Sequence, residues 1–266
     1  MEEPLPLPES PPDAPPPPAM SLAARLLNVF AIPGEVFEEV KASRVSVWNW
    51  LVPALLLGVV SVFTVLAVVS QPALQRQMNE RIEEQAKALD QQVKAGKVKR
   101  VEADRALAVT RAIAQPAILK TLGGVMAAGF GVVRVFWWGL VLWLLGRVFL
   151  KACFGYIKTL EVAGLALMVS VLGSAVLLLL MVNLPKLFAA QGLALAVSDF
   201  DPSRKSYLLL GAANVFALWL VCVLSVGLGR LAGVPFWRAM WLVFAAWLIQ
   251  ESCLVLLQGV MGPFMP

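Results

Sequence analysis

The chain has 266 residues, 59% of them apolar and 15% charged, with a net charge of +5 and a mean hydropathy of +0.78. Soluble domains average about 45–50% apolar and about 25% charged residues, so an ordinary soluble fold is excluded and several bilayer crossings are implied. Histidine is absent, which removes Ser-His-Asp and Cys-His triads, histidine-held zinc or haem, and imidazole acid–base chemistry.

Residues 1–20 form a Pro-rich, acidic segment, with Pro15 to Pro18 following Glu2, Glu3, Glu9 and Asp13. Such a composition cannot bury apolar area and predicts a solvated, partly polyproline tail. It lacks the basic start and early apolar core of a signal peptide.

Residues 21–46 predict two short amphipathic juxtamembrane helices. Ser21 is placed to cap the first, whose apolar face is Leu22, Leu26, Val29 and Phe30. Pro33 and Gly34 break the pattern, and Val36, Phe37 and Val40 define the second helix. Such helices either lie in the interface plane or pack under the bundle.

Residues 47–266 read as a membrane domain of five spans. The first, about 47–69, has no charge in 23 residues and carries Trp48 and Trp50 at belt depth. Residues 71–120 turn polar. Leu74, Met78, Ile82, Leu89 and Val93 recur at helical spacing among charged residues, and a second helix follows Gly96. This predicts an extramembrane helical hairpin turning at Lys94–Arg100.

The second span lies within 122–150. Gly123, Ala127 and Gly131 are spaced four apart, a small-residue face that lets another helix approach closely. The remaining spans are about 160–184, 207–228 and 236–257. Five spans place the two termini on opposite faces. Over all loops, Lys and Arg favour the hairpin's face by 13 to 8; without the hairpin they favour the N-terminal face by 8 to 3.

Arg134 and Glu251 stand furthest inside predicted spans. An unmatched charge there costs about 3 kcal/mol or more, so the two are candidates for a buried pair, with Asn214 and Gln250 in support. Snorkelling toward opposite span ends is the alternative. Glu38, Glu39 and Arg44 come near the Glu-Glu-xxx-Arg pattern of intramembrane prenyl-protein proteases, but the arginine is one residue late and the histidines are absent. Gly173-Ser174 has no histidine to activate a rhomboid-type serine. Cys153, Cys222 and Cys253 form no C-x-x-C pair, and no phosphate-cradling glycine motif occurs. We therefore expect no catalytic residue, cofactor or metal, and no nucleic-acid partner.

The stretch Leu210-Gly211-Ala212-Ala213-Asn214-Val215-Phe216-Ala217-Leu218-Trp219, running on to Leu224, Gly227 and Gly229, resembles the Phe-x-x-Trp … Leu-x-x-x-Gly stretch of the Yip-one domain family. Three other segments are similar to that family: Phe30-Ala31-Ile32-Pro33-Gly34-Glu35-Val36-Phe37, Gly155 to Leu160, and Gly233 to Ala239. The resemblance covers about residues 21–257. It implies a five-span membrane protein related to Ypt/Rab-interacting proteins, with a cytosolic N-terminus. The Asp-Leu-Tyr-Gly-Pro motif of the trafficking members is absent, and the inserted hairpin and lack of histidine look more like prokaryotic relatives, which implies a bacterial inner membrane. The expected function is a non-catalytic scaffold or adaptor in membrane organisation, partnered by the lipid bilayer and by other proteins or copies of itself. A transporter or channel component, with Arg134, Asn214 and Glu251 lining a path, is the alternative.

Overall fold

The computed structural model describes residues 20–183 and 214–261, and all the regular structure there is helical. Residues 1–19 of the Pro-rich segment and residues 207–213 of the predicted fourth span lie outside the described residues.

The chain opens with α1 (Leu22–Asn28) and α2 (Pro33–Ala42). Ser21 caps α1 by accepting a hydrogen bond from the Ala24 N–H. Pro33 begins α2, where its missing N–H costs nothing. The apolar face of α2 is not spread on a surface. Val29, Val36, Phe37 and Val40 have no exposure at all and belong to the main core. Of the two arrangements left open by the sequence, the structure has the helices packed into the bundle.

The helix α3 (Trp48–Val69) leads into two polar helices, α4 (Pro72–Lys94) and α5 (Arg100–Ile113), which pack on each other across a turn. Gly96 takes a left-handed φ of 69° in that turn, a conformation that glycine adopts without strain. Asp90 joins the two helices near the turn, 3.0 Å from Lys94 Nζ and 3.3 Å from Arg100 Nη1. Lys94, with Arg100 adding to it, holds the Asp90 carboxyl below the usual carboxylate range.

Next come α6 (Pro116–Leu144), a π-helical turn (Leu145–Phe149), α7 (Tyr156–Ala166), α8 (Met168–Asn183), α9 (Val215–Ala232) and α10 (Phe236–Met261). The predicted third span is thus α7 and α8 in succession, interrupted at Leu167. Among the described residues, four stretches are long and apolar enough to cross a membrane: Trp48–Val69, Pro116–Phe149, Tyr156–Leu180 and Val215–Ala232. The predicted fifth span corresponds to α10, which is not among the four; it carries Arg238, Gln250 and Glu251.

Helices α3 and α6 make the most extensive contact. Small residues set their separation. A Cβ on Gly131 would stand 2.0 Å from the Ala54 carbonyl oxygen, and one on Gly58 would stand 2.6 Å from that of Ala128. Ala127 is buried in the same contact, and Gly123 faces Val65 at its far end. The backbones can meet this closely only without side chains between them. The outer face of α6 shows Val125, Met126, Phe130, Val133 and Phe136, all exposed. A continuous apolar surface of this kind suits acyl chains and not water.

Two outcomes follow. Gly131→Ala should lower the thermal midpoint in detergent, with a loss of about 1–3 kcal/mol from overpacking, whereas Gly124→Ala, whose Cβ would meet nothing within 4 Å, should be neutral or slightly stabilising. The Asp90 bridge contributes only while the carboxyl is ionised, because its folded-state value is depressed. That contribution is present above the ordinary carboxylate range and is lost as pH falls through and below it. Amide-exchange protection at the α4–α5 turn, taken relative to the intrinsic exchange rate at each pH, should fall on acidification in the native chain and lose much of that pH dependence in Asp90→Asn.

Candidate functional site

The polar centre of the molecule lies where α1, α2 and the first turns of α3 and α7 converge. Glu161, on the second turn of α7, is fully buried. A carboxylate there must be matched, since removing it from water without partners costs far more than folding can supply. Its Oε1 accepts two hydrogen bonds, from the Ser46 N–H at 2.7 Å and from Asn49 Nδ2 at 2.8 Å. Its Oε2 has no hydrogen-bond donor, but Lys158 Nζ stands 3.0 Å away as an ionic partner. Lys158 and Glu161 are three apart on one helix, which puts them on the same face.

Lys158 also closes the end of α2. Its ammonium donates to the carbonyl oxygens of Val40 at 2.6 Å and Ser43 at 2.7 Å. Carbonyls in the last turn of a helix have no partners within it, and a cation placed there favours the negative end of the helix dipole.

Asn49 carries the connection onward. Its Oδ1 accepts from Arg25 Nη1 at 3.4 Å while its amide nitrogen donates to Glu161. The reversed amide would set NH2 against the guanidinium and oxygen against the carboxylate, so the charged neighbours fix its orientation. Arg25 Nη2 pairs with Glu39 Oε1 at 2.9 Å, and the same oxygen accepts the Met20 N–H at 2.8 Å. The series Glu39–Arg25–Asn49–Glu161–Lys158 therefore links α2, α1, α3, α7 and α2 again. Gly164, one turn beyond Glu161, lets α7 come close to α3: a Cβ there would stand 2.3 Å from Trp50 Cα.

A second fastening lies outside this one. Arg230 Nη1, at the end of α9, is 3.3 Å from Glu38 Oε1, and Lys41 Nζ donates to the Arg230 carbonyl oxygen at 2.8 Å. These residues, with Val234 and Phe236, line an open cleft of about 480 Å³ beside α2.

None of the candidate site residues Arg134, Asn214, Gln250 and Glu251 falls in this cluster, whereas Glu39 of the protease-like pattern and Lys158 of the family-like Gly155–Leu160 segment do. Arg134 sits on α6 with its guanidinium carbon 5.7 Å from the centre of the Phe130 ring, and Glu251 lies on α10. Gln250 accepts a hydrogen bond from Trp137 Nε1, joining α6 to α10. Asn214 begins α9, where its side chain accepts the Phe216 N–H at 2.8 Å. Gly123, Ala127 and Gly131 serve the contact with α3. Asn49, Lys158 and Glu161 were not recognised as a site from sequence. The available signals were a polar residue and an acid inside apolar stretches and the three-residue spacing of Lys158 and Glu161.

Among comparisons with known proteins, the family model described as Yip1 domain matches residues 27–257. No curated protein and no solved structure matches. The matched region contains every member of the buried series except Arg25.

Removal of the Glu161 carboxylate should be the most damaging single change in the cluster. Glu161→Ala leaves the Lys158 charge and the Ser46 and Asn49 donors unmatched, for an expected loss of about 3–5 kcal/mol. Glu161→Gln keeps an acceptor and should lose distinctly less. Thermal unfolding in detergent micelles reads both.

Proposed function

Because the chain belongs to the Yip1 domain family, we propose that it is a non-catalytic membrane scaffold or adaptor acting in membrane organisation or trafficking-like processes. The observation that carries this reading is the closed ionic series at the N-terminal end. Glu39, Arg25, Asn49, Glu161 and Lys158 direct their polar atoms at one another and at backbone groups of α2 and the α2–α3 link. Groups used this way hold helices in place; they do not present reactive atoms to a substrate. The outer apolar face of α6 supplies contact with lipid or with another membrane helix.

In this reading α10 is the fifth span, the α4–α5 hairpin stands outside the bilayer, and the N-terminus faces the cytoplasm at the inner membrane of a bacterium. The family layout and the apolar composition of α10 between Ala239 and Ile249 support it. The partners are the bilayer and other proteins, a second copy included.

A transport function is the competing reading. The Trp137–Gln250 bond between α6 and α10, with Glu251 next to Gln250 on α10, favours it. A flux assay on the full chain in liposomes separates the two. A scaffold moves no ion or small solute above empty liposomes, and crosslinking in native membranes yields a discrete complex. Flux abolished by Glu251→Gln would overturn the scaffold reading.

A further inference from the structure

We propose that the end of the bundle where α2 docks is a binding surface for anionic phospholipid headgroups. The inference comes from how the structure divides the charges at that end. Glu39 is drawn against Arg25, and Glu161 is fully buried against Lys158. Two acids and two cations are thereby withdrawn from the surface, which leaves the excess of positive charge among the described residues at that end unchanged. Among the described residues, the cations that remain exposed there are Lys41, Arg44, Arg147, Lys151, Arg230 and Arg238, against Glu35 and Glu38. Of these two acids, Glu38 has a cationic neighbour among the described residues, Arg230 at 3.3 Å, half-exposed on both sides. Pairs of that kind are weak, so Arg230 remains open to another anion.

Depth is the second observation. The guanidinium carbon of Arg147 lies 6.0 Å from the Trp143 ring centre, and that of Arg238 lies 5.4 Å from the Trp237 ring centre. Trp48, Trp237 and Trp241 are largely exposed at the same end. Indole rings settle at the boundary between acyl chains and headgroups. Guanidiniums stacked on them are therefore held at phosphate level, where their planar forks suit phosphate oxygens. The π-helical turn at Leu145–Phe149 and the left-handed backbone of Lys151, φ 50°, set the chain exit around Arg147. Leu27, Val45 and Val47, all exposed, add apolar contacts to the same rim.

The α4–α5 turn differs in depth and not in charge. Lys94, Lys97, Lys99 and Arg100 are exposed there beside Asp90, but residues 71–120 hold no tryptophan to set them at headgroup level.

The test uses the full chain reconstituted in bilayers, with tryptophan fluorescence quenched by brominated phosphatidylglycerol or brominated phosphatidylcholine. The anionic lipid should be preferred by about fivefold, the effect of on the order of one engaged cation at an anionic surface. The preference should fall toward one at about 0.5 M salt. Arg147→Gln with Arg238→Gln should reduce it by at least half, Arg147→Lys with Arg238→Lys should retain most of it, and Lys94→Gln with Lys97→Gln should not change it. Equal quenching by the two lipids in the native chain would overturn the proposal. So would a preference that survives salt, one that the glutamine variant keeps, or one that the Lys94 and Lys97 variant loses. The native chain's salt response decides the matter even if the glutamine variant folds poorly.

Discussion

The buried Glu161 carboxylate is the constraint on which the N-terminal half of the structure depends. It sits in a helix that is otherwise suited to hydrocarbon, and it has no access to water. Its partners come from 115 and 112 residues earlier in the chain, at Ser46 and Asn49. Satisfying that one group fixes the start of α3 against α7. Lys158 then fixes the end of α2, because the same ammonium faces the carboxylate and the Val40 and Ser43 carbonyls. An amphipathic helix such as α2 would otherwise be free to lie on a membrane surface. Here its apolar face is part of the core and its C-terminal carbonyls are closed by a residue of the bundle.

At the middle of the bundle a different constraint operates. Hydrocarbon solvent gives two helices no hydrophobic reason to associate, so close packing and backbone approach must supply the attraction. Gly58 and Gly131 provide it between α3 and α6, each standing against a carbonyl of the other helix. The two constraints act on the same helix. Helix α3 is pinned at its start by Asn49 and held along its length by glycine contacts. Neither depends on the polar hairpin that follows, which packs mainly on itself.

Much of this was legible from the order of residues. The apolar runs, the short helices after Ser21 and Pro33 and the turn near Gly96 are local features, and local chemistry decides them. The Yip1 domain match covers nearly the range over which the resemblance was seen. What was not legible is which polar residues meet. Arg134 and Glu251 drew notice because they stand deepest within apolar runs. Glu161 stands at the edge of one, only two residues after Thr159, and reads as a boundary residue. Helix α7 begins at Tyr156, so Lys158 and Glu161 share its first two turns, and the bundle closes over Glu161. Asn49 likewise looked like part of an interfacial Trp-Asn-Trp sequence. Burial of an edge residue is a property of tertiary packing, and a hydropathy pattern carries no information about it.

The two polar features of the bundle therefore differ in kind. Glu161 is held by a backbone N–H, an amide and an ammonium that themselves have further fixed partners, so moving it would unmake several contacts at once. A closed series of this sort adds little net stability over an apolar core of the same shape, because desolvation offsets most of the attraction. What it adds is selectivity: slipping α2 by a turn would part Glu39 from Arg25 and take the Val40 and Ser43 carbonyls away from Lys158. Arg134 and Glu251 have no such frame. Glu251 belongs to α10, whose main packing partner is α9, and the Trp137–Gln250 bond one residue away is its nearest tie to α6. The α6–α10 seam therefore lacks the interlocked contacts that tie α1, α2, α3 and α7 together at the N-terminal cluster.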